Sequence, residues 1–304
     1  MRTLIIGQAA FGEAVLRRFL ERGIDVVGVS TPPDREGRED PLKKAAVSNG
    51  IPWLATRSLK QEPTFQELRA WKPELGVMAF VTDILPENVL EEPALGTIQY
   101  HPSLLPKHRG ASAINWAVVM GEERTGLTIF WPDRGIDTGP ILLQKEVEIG
   151  LDDTVGSLYF DKLFPLGVEA LAESVEMVEQ GRAPRLAQDE SQATYEPIFK
   201  GEHADLDWGK PARQVYDLVR GSTPQPGAST SYRGEQLQLF ESKLRPGAVA
   251  TSPGEILSAG GQGLEVALNG GVLVVERLRP AAGAKVSADE FVQKSGIKPG
   301  DRLG

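Results

Sequence analysis

The chain opens with a strand, a tight turn and a helix, and this order constrains the fold more than any other feature. An apolar run over residues 3–6 ends at Gly7, and the next segment has apolar residues at helical spacing. Gly23 is a typical helix C-cap, and residues 24–29 form a second apolar run. The pattern predicts a β-α-β unit, the building block of parallel sheets covered by helices.

The turn after the first strand matches a dinucleotide-binding fold only in part. Such folds carry Gly-x-Gly-x-x-Gly at this turn, where the middle glycine lets the backbone approach a pyrophosphate. Gly7 and Gly12 supply the first and last glycine, but Ala9 occupies the middle position. We therefore do not expect an NAD-binding site.

The pattern continues as an α/β domain and then changes. Residues 75–81 form an apolar run typical of a central parallel strand, strand candidates follow at 126–131 and 141–147, and a long helix is expected from about 152 to 181. Towards the C-terminus, short strand candidates alternate with turns, a spacing that favours a small β-barrel. These candidates are 237–240, 254–257, 264–268 and 272–278.

Two domains joined by a linker are therefore expected. The segment between the two patterns is polar and lacks periodicity, and we expect its histidine, His203, at the surface. The predicted boundaries are 1–183 for an α/β domain with a Rossmann-like, mostly parallel sheet, 184–205 for the linker and 206–304 for a small OB-like β-barrel.

Composition limits the class of protein. The hydrophobic content of 40% and charged content of 25% are typical of a soluble globular protein. The net charge of −9 argues against a generic polyanion binder. With no cysteine and three scattered histidines, no metal site is expected. The apolar start is too short for a signal peptide and no long apolar span follows, so we expect a cytoplasmic protein without membrane contact.

One loop holds two of the three histidines. His101 follows a strand-like run at 96–100, where the strand gives way to a proline-rich loop. Side chains at such positions of open α/β sheets point into the ligand crevice, and imidazole transfers protons near neutral pH. Two interpretations are open from these residues alone: a positioned catalytic imidazole, or a histidine that caps the strand.

The loop resembles the signature of the 10-formyltetrahydrofolate-dependent formyltransferases: residues 101–116 are His-Pro-Ser-Leu-Leu-Pro-Lys-His-Arg-Gly-Ala-Ser-Ala-Ile-Asn-Trp. Within that family, the loop and the Gly-Gln-x-x-Phe-Gly turn at 7–12 are most similar to the hydrolase domain of 10-formyltetrahydrofolate dehydrogenase. The family pairs this histidine with an aspartate in a later Asp-x-Gly loop, and Asp137 stands in such a loop. The C-terminal strands also resemble the family, so the resemblance covers essentially the whole chain.

The resemblance implies 10-formyltetrahydrofolate as co-substrate and assigns roles to individual residues. His101 would hydrogen-bond the developing oxyanion and assist proton movement, and Asp137 would orient the imidazole or a water. Most family members have asparagine two residues before the histidine; here Gln99 stands there, on the same strand face as His101. The candidates for folate contact are Phe80, Asp83, Ile84, Leu85, Leu104 and Ile136.

Other polar residues of the signature loop have less defined roles. Ser103 is expected to shape the loop rather than act as a nucleophile, because no His–Asp relay surrounds it in sequence. Lys107 and Arg109 have two open interpretations: contact with an anionic acceptor or the glutamyl tail of folate, or exposure to solvent.

The sequence does not name the formyl acceptor or the oligomeric state. The hydrolase-like turn and signature favour a small-molecule amine or water. Methionyl-tRNA formyltransferase is an alternative, favoured by the complete C-terminal region and disfavoured by the net charge and by the mixed-charge loop at 31–44. A sugar-nucleotide N-formyltransferase and a folate-binding module without turnover are further alternatives.

Overall fold

A computed structural model describes residues 1–34, 37–81, 85–261 and 263–304, and in it the chain forms two compact units. The first unit comprises 1–111, 126–147 and 161–195; the second comprises 112–125, 148–160 and 196–304. Each unit draws on separate stretches of the chain, whereas the boundaries expected from the sequence are contiguous. Those domain boundaries stay a prediction.

Strands and helices alternate up to residue 130, and a further strand and two helices follow. In order they are β1 (Arg2–Gly7), α1 (Ala9–Glu21), β2 (Asp25–Thr31), α2 (Pro41–Ser48), β3 (Trp53–Ala55), α3 (Glu62–Ala70), β4 (Leu75–Ala79), α4 (Glu87–Glu91), β5 (Thr97–His101), α5 (Ala113–Val119), β6 (Arg124–Phe130), β7 (Ile141–Glu148), α6 (Val155–Ser157) and α7 (Phe164–Glu179).

The strands form one seven-stranded sheet in the order β3-β2-β1-β4-β5-β6-β7. The strands from β3 to β5 pair in parallel, and β5 pairs with β6 antiparallel. The strand order reverses between β1 and β4, and in open α/β sheets the crevice beside such a reversal is where ligands bind. The predicted Rossmann-like, mostly parallel sheet is confirmed.

Alternate residues of the central strands enter two apolar clusters, one on each face of the sheet. Ile5 and Val77 belong to the cluster formed with α1 and α7, and Ile6 and Met78 to the cluster formed with α3 and α4. This burial on both faces explains the continuous apolar run at 75–81. Among the described helices, none is both long and apolar enough to cross a membrane.

The single long helix expected from about 152 to 181 is interrupted. A π-helical segment, Leu158–Leu163, separates α6 from α7, and Pro165 lies in the first turn of α7. Proline has no backbone N–H, so it cannot continue a regular α-helical hydrogen-bond ladder through this point.

Two four-stranded antiparallel sheets follow in the second unit, in the orders β10-β13-β12-β11 and β15-β14-β9-β8. The elements are α8 (Ala212–Gly221), β8 (Ala228–Tyr232), β9 (Glu235–Leu239), β10 (Ser242–Pro246), β11 (Ile256–Ala259), β12 (Leu264–Leu268), β13 (Gly271–Val275), β14 (Arg277–Pro280), β15 (Val286–Ser287) and α9 (Ala288–Ser295). Both sheets contribute to one apolar cluster, which confirms a C-terminal antiparallel β structure.

The strand expected at 272–278 is wrong as one element. It is two strands, β13 and β14, that belong to different sheets. The backbone N–H groups of Glu276 and Arg277 both donate to the carbonyl of Glu241, so the regular ladder is broken there. A local irregularity of this kind lets one chain segment pass from one sheet to the other.

Candidate active site

His101 is the last residue of β5, at the carboxyl edge of the parallel strands. Ile98 and Tyr100 point into the apolar core, so the alternation of the strand places His101 on the other face. The residue is only 5% exposed, and its Nε2 lies 2.8 Å from the backbone carbonyl oxygen of His108. The signature loop thus folds back on its own first residue.

Asp137 faces the other ring nitrogen of His101. Its Oδ2 lies 3.5 Å from His101 Nδ1 and accepts the backbone N–H of Gly110 at 2.8 Å. Asp137 is 8% exposed and has a φ of 57°, a left-handed conformation that is uncommon outside glycine. The fold therefore brings together the two residues that the sequence predicts as a catalytic pair.

The contacts of His101 fix its tautomer. A backbone carbonyl only accepts hydrogen bonds, so Nε2 carries the hydrogen in its contact with His108. In the neutral ring Nδ1 then has the lone pair, and it faces the Asp137 carboxylate across 3.5 Å, longer than a typical hydrogen bond. With Nε2 used in this way, Nδ1 is the ring nitrogen that faces the Asp137 carboxylate and the crevice.

Gln99 lies on β5 two residues before His101 and is half-buried. Strand alternation places both side chains on the same face. Within the part of the chain that the structure describes, the Gln99 amide makes no hydrogen bond. The amide therefore does not stabilise the described fold through a hydrogen bond. This is what we expect of a group that binds a ligand.

The signature loop is held by polar side chains from the strands beside it. Ser103 donates from Oγ to the carbonyl of Lys107 at 2.6 Å, in keeping with a role in shaping the loop. Thr128 of β6 donates to the Ser103 carbonyl at 2.7 Å and accepts the Leu105 N–H at 3.0 Å. Gln144 of β7 donates to the Leu105 carbonyl at 2.8 Å. Such a network limits the movement of the loop that carries His101.

The segment 186–195, predicted as linker, contacts both site loops within the first unit. Thr194 accepts the backbone N–H of His108 through Oγ1 at 2.8 Å. Gln188 donates to the carbonyl of Asp137 at 2.8 Å and accepts from Arg109 at 2.8 Å. These residues were missed because a polar segment without periodicity carries no local signal for contacts made 51 to 86 residues away.

Arg109 is 7% exposed and forms a two-pronged ion pair with Glu190, with nitrogen–oxygen distances of 2.9 and 2.6 Å. The hydrogen bond from Arg109 lowers the pKa of the Glu190 carboxyl, and the same bond raises the pKa of Arg109. Arg109 is thus not exposed to solvent. Its charge is paired with Glu190, so it is not an unpaired cation for an anionic acceptor. Lys107 is exposed.

The residues predicted to contact folate fall into different environments. Phe80 directly follows β4, is 41% exposed and has a φ of 62°. It borders a shallow recess that Gly7 and Pro32 also line, at the carboxyl ends of the strands. Ile136 is largely exposed beside Asp137. These two residues offer apolar surface to a ligand.

Leu85 and Leu104 are more enclosed. Leu85 is buried in the apolar cluster that covers one face of the sheet. Leu104 is half-buried and packs on Gly126 so closely that a Cβ there would lie 2.6 Å from its Cδ2. Asp83 and Ile84 lie outside the described residues. Contact of these four residues with folate stays a prediction.

The N-terminus of α1 already holds an anionic group. The Asp40 carboxylate accepts the N–H of Ala9 at 2.9 Å and the N–H of Leu42 at 2.9 Å. In dinucleotide-binding folds the pyrophosphate occupies this position. Asp40 therefore fills the place of a dinucleotide phosphate and caps α2 at the same time.

His203, expected at the surface, is partly exposed. It is half-buried within the second unit, with its ring centroid 5.3 Å from that of Trp116 and 5.7 Å from that of Phe199. Aromatic packing that forms over a long sequence separation overrides the polar character of the local sequence.

Across the described ranges, no cluster of three or more histidine and acidic side chains could hold a metal ion.

Comparisons with known proteins extend these observations. Residues 1–175 match the family model described as formyl transferase, and residues 199–296 match the model of its C-terminal domain. Methionyl-tRNA formyltransferase of Trichlorobacter lovleyi is 38% identical over 96% of the chain and 93% of its own length. Mitochondrial 10-formyltetrahydrofolate dehydrogenase of Mus musculus is 42% identical over 90% of the chain, which spans 30% of that longer protein.

Among solved structures, HypX from Aquifex aeolicus in complex with tetrahydrofolic acid superposes with a TM-score of 0.70. The match covers 96% of the chain and 47% of HypX at 20% sequence identity. At this identity the likeness concerns the fold.

Proposed function

The chain belongs to the formyl transferase family, whose members are enzymes, and we propose that it moves the formyl group of 10-formyltetrahydrofolate to a small-molecule amine or to water. The observation that carries the proposal is the buried pair of His101 and Asp137 at the carboxyl edge of the sheet, with Nδ1 and Oδ2 3.5 Å apart. A folate-binding module without turnover would not require an imidazole and a carboxylate in this arrangement.

In the proposed reaction the amine nitrogen or water oxygen attacks the formyl carbon. The bond from that carbon to N10 then breaks, the nucleophile gives up a proton and N10 takes one up, which gives tetrahydrofolate and either a formamide or formate. Asp137 orients the nucleophile and stabilises positive charge beside it. His101 hydrogen-bonds the developing oxyanion and assists proton movement, and Gln99 supplies a second donor. Each such group typically contributes ~10²–10⁴ in rate.

Two described residues support a folate site beside this pair. The exposed ring of Phe80 at the strand-order reversal offers a flat apolar wall, and Ile136 adds apolar surface next to Asp137. HypX is in complex with tetrahydrofolic acid, and the mouse relative is a 10-formyltetrahydrofolate dehydrogenase. Both similarities support a folate co-substrate.

Methionyl-tRNA formyltransferase is the second candidate, because the T. lovleyi relative of that name is matched over nearly its whole length. The loop at 31–44 disfavours it. Lys43 pairs with Asp34 at 2.6 Å, and Asp40 is engaged with two backbone N–H groups. The lysine charge is thus compensated within the protein, which leaves it less able to hold tRNA phosphates.

The test is release of tetrahydrofolate from 10-formyltetrahydrofolate, first without acceptor and then with charged initiator tRNA, a nucleotide-linked amino sugar or hydroxylamine. Turnover without acceptor identifies water as the acceptor, and turnover that begins with one amine names that class of substrate. His101→Ala should retain tetrahydrofolate binding and lose turnover, with His203→Ala as the matched control. Tight folate binding without turnover under every condition would refute catalysis.

A further inference from the structure

The side-chain amide of Gln188 joins the Asp137 loop to the buried Arg109, and we propose that Gln188 is a positioning residue for Asp137. The inference rests on the proposed function, because it concerns how the carboxylate of the proposed catalytic pair is held. Gln188 then contributes to the reaction rate, although it lies in the segment that the sequence predicts as linker.

Gln188 donates two hydrogen bonds to the backbone of the Asp137 loop. Its Nε2 donates to the carbonyl of Asp137 at 2.8 Å and to the carbonyl of Gly139 at 2.7 Å. Its Oε1 accepts from Nε and Nη2 of Arg109 at 3.2 and 2.8 Å. Guanidinium nitrogens only donate and carbonyls only accept, so the amide has one chemically consistent orientation.

The backbone at Asp137 needs such support. The residue has a φ of 57°, a conformation that is unfavourable for residues with a Cβ and persists where the surroundings hold it. Residues 133–136, immediately before it, are exposed. The Gly110 N–H holds the carboxylate at 2.8 Å, whereas Gln188 holds the peptide group of the same residue. Together the two contacts fix the carboxylate and the backbone of Asp137.

The far side of Gln188 is anchored in turn. Arg109 is 7% exposed and is itself bound by both carboxylate oxygens of Glu190. Arg109 also belongs to the signature loop that begins at His101. Gln188 therefore ties the Asp137 loop to the His101 loop at a second place, in addition to the Gly110 contact. A displacement of about 1 Å between reacting groups can lower a rate ~10²-fold.

Two variants separate the donor function from packing. Gln188→Glu keeps the size of the side chain and an acceptor for Arg109, but a carboxylate cannot donate to the carbonyls of Asp137 and Gly139. Gln188→Ala removes both functions. We expect turnover to fall ~10- to 100-fold in each variant while the Kd for tetrahydrofolate changes less than about threefold. Gln192→Ala is the matched control, since the Gln192 amide lies in the same segment and contacts Ser191 at 3.5 Å.

A double-mutant cycle with Asp137→Ala supplies a readout that a general loss of stability would not give. If Gln188 acts through Asp137, Gln188→Glu should change the residual turnover of the Asp137→Ala variant less than about twofold. Wild-type turnover in either Gln188 variant, or equal fold losses with and without Asp137, would overturn the inference and leave the proposed function intact. Absence of turnover in the wild-type protein with every acceptor would overturn both.

Discussion

Asp137 places one carboxylate oxygen 3.5 Å from Nδ1 of His101, and that same oxygen accepts the Gly110 N–H at 2.8 Å. The N–H group is neutral, so it orients the carboxylate without cancelling its charge. The negative charge beside the imidazole is thereby preserved.

Asp137→Asn should lower turnover by ~10²–10⁴ while tetrahydrofolate binding is retained. The asparagine fills the same space and can still accept the Gly110 N–H, but it has no charge to stabilise positive charge at the nucleophile. Steady-state kinetics and a folate titration measure the two effects. Asp161→Asn, an exposed aspartate elsewhere in the first unit, is the control; comparable losses in both variants would contradict a specific role.

Gln99→Leu should lower turnover by ~10²–10³, the range observed when one oxyanion donor is removed. Leucine has no donor and is one bond shorter, the same length as asparagine. Gln99→Asn should retain part of the activity, because the amide is kept in a shorter side chain. The exposed Gln66 of α3 gives a matched control, Gln66→Leu. Full activity of Gln99→Leu would show that the amide lies outside the reacting centre.

Phe80→Gly should weaken tetrahydrofolate binding about tenfold and lower the free energy of unfolding by less than about 2 kcal/mol. The variant loses an aromatic side chain that is 41% exposed, but glycine accepts the φ of 62°, which costs about 1–2 kcal/mol for other residues. Lys72→Gly relieves a similar φ of 48° on an exposed residue and should leave binding unchanged. Unchanged folate affinity in Phe80→Gly would exclude Phe80 as a wall of the site.

Acid should weaken the contact between Glu190 and Arg109. Because the pKa of Glu190 is lowered in the folded protein, its contribution is present above the ordinary glutamate pKa of about 4.3 and is lost as the pH falls through the lowered value. Glu190→Gln should therefore show a smaller drop in Tm between pH 5 and pH 3 than the wild type. Glu190 is exposed, so the difference should be small.

Thermal unfolding followed by circular dichroism measures this effect. Glu67→Gln, at an exposed position of α3, should follow the wild-type pH dependence. A Glu190→Gln variant with that same dependence would show that protonation of Glu190 does not affect stability in this range.

The sequence contains enough local information to predict the first β-α-β unit and the central strand at 75–81. The apolar pattern of the sequence agrees there with the observed burial, because helices cover both faces of the sheet and both faces of β1 and β4 are apolar. His101 and Asp137 are also predictable as a pair, since each stands in a motif of the family signature.

Two elements could not be predicted because their cause lies in distant contacts. The run at 272–278 is apolar except for Glu276 and Arg277, and two charged residues alone do not show that the chain changes sheets there. The cause is a distant contact, because the N–H groups of Glu276 and Arg277 both donate to the carbonyl of Glu241. Segment 186–195 has the composition of a linker, yet Gln188 and Glu190 meet Arg109 at separations of 79 and 81 residues.

Local patterns are enough to predict the α/β order of the first strands and helices, the family, and the candidate residues His101, Asp137 and Gln99, because periodicity and short motifs are local properties. The folded structure is needed to show which ring nitrogen faces the carboxylate, that Arg109 is buried, and that Gln188 contacts the Asp137 loop. Each of these depends on a distance or an orientation between side chains far apart in the chain, and the packing of the folded sheet and its loops sets such distances.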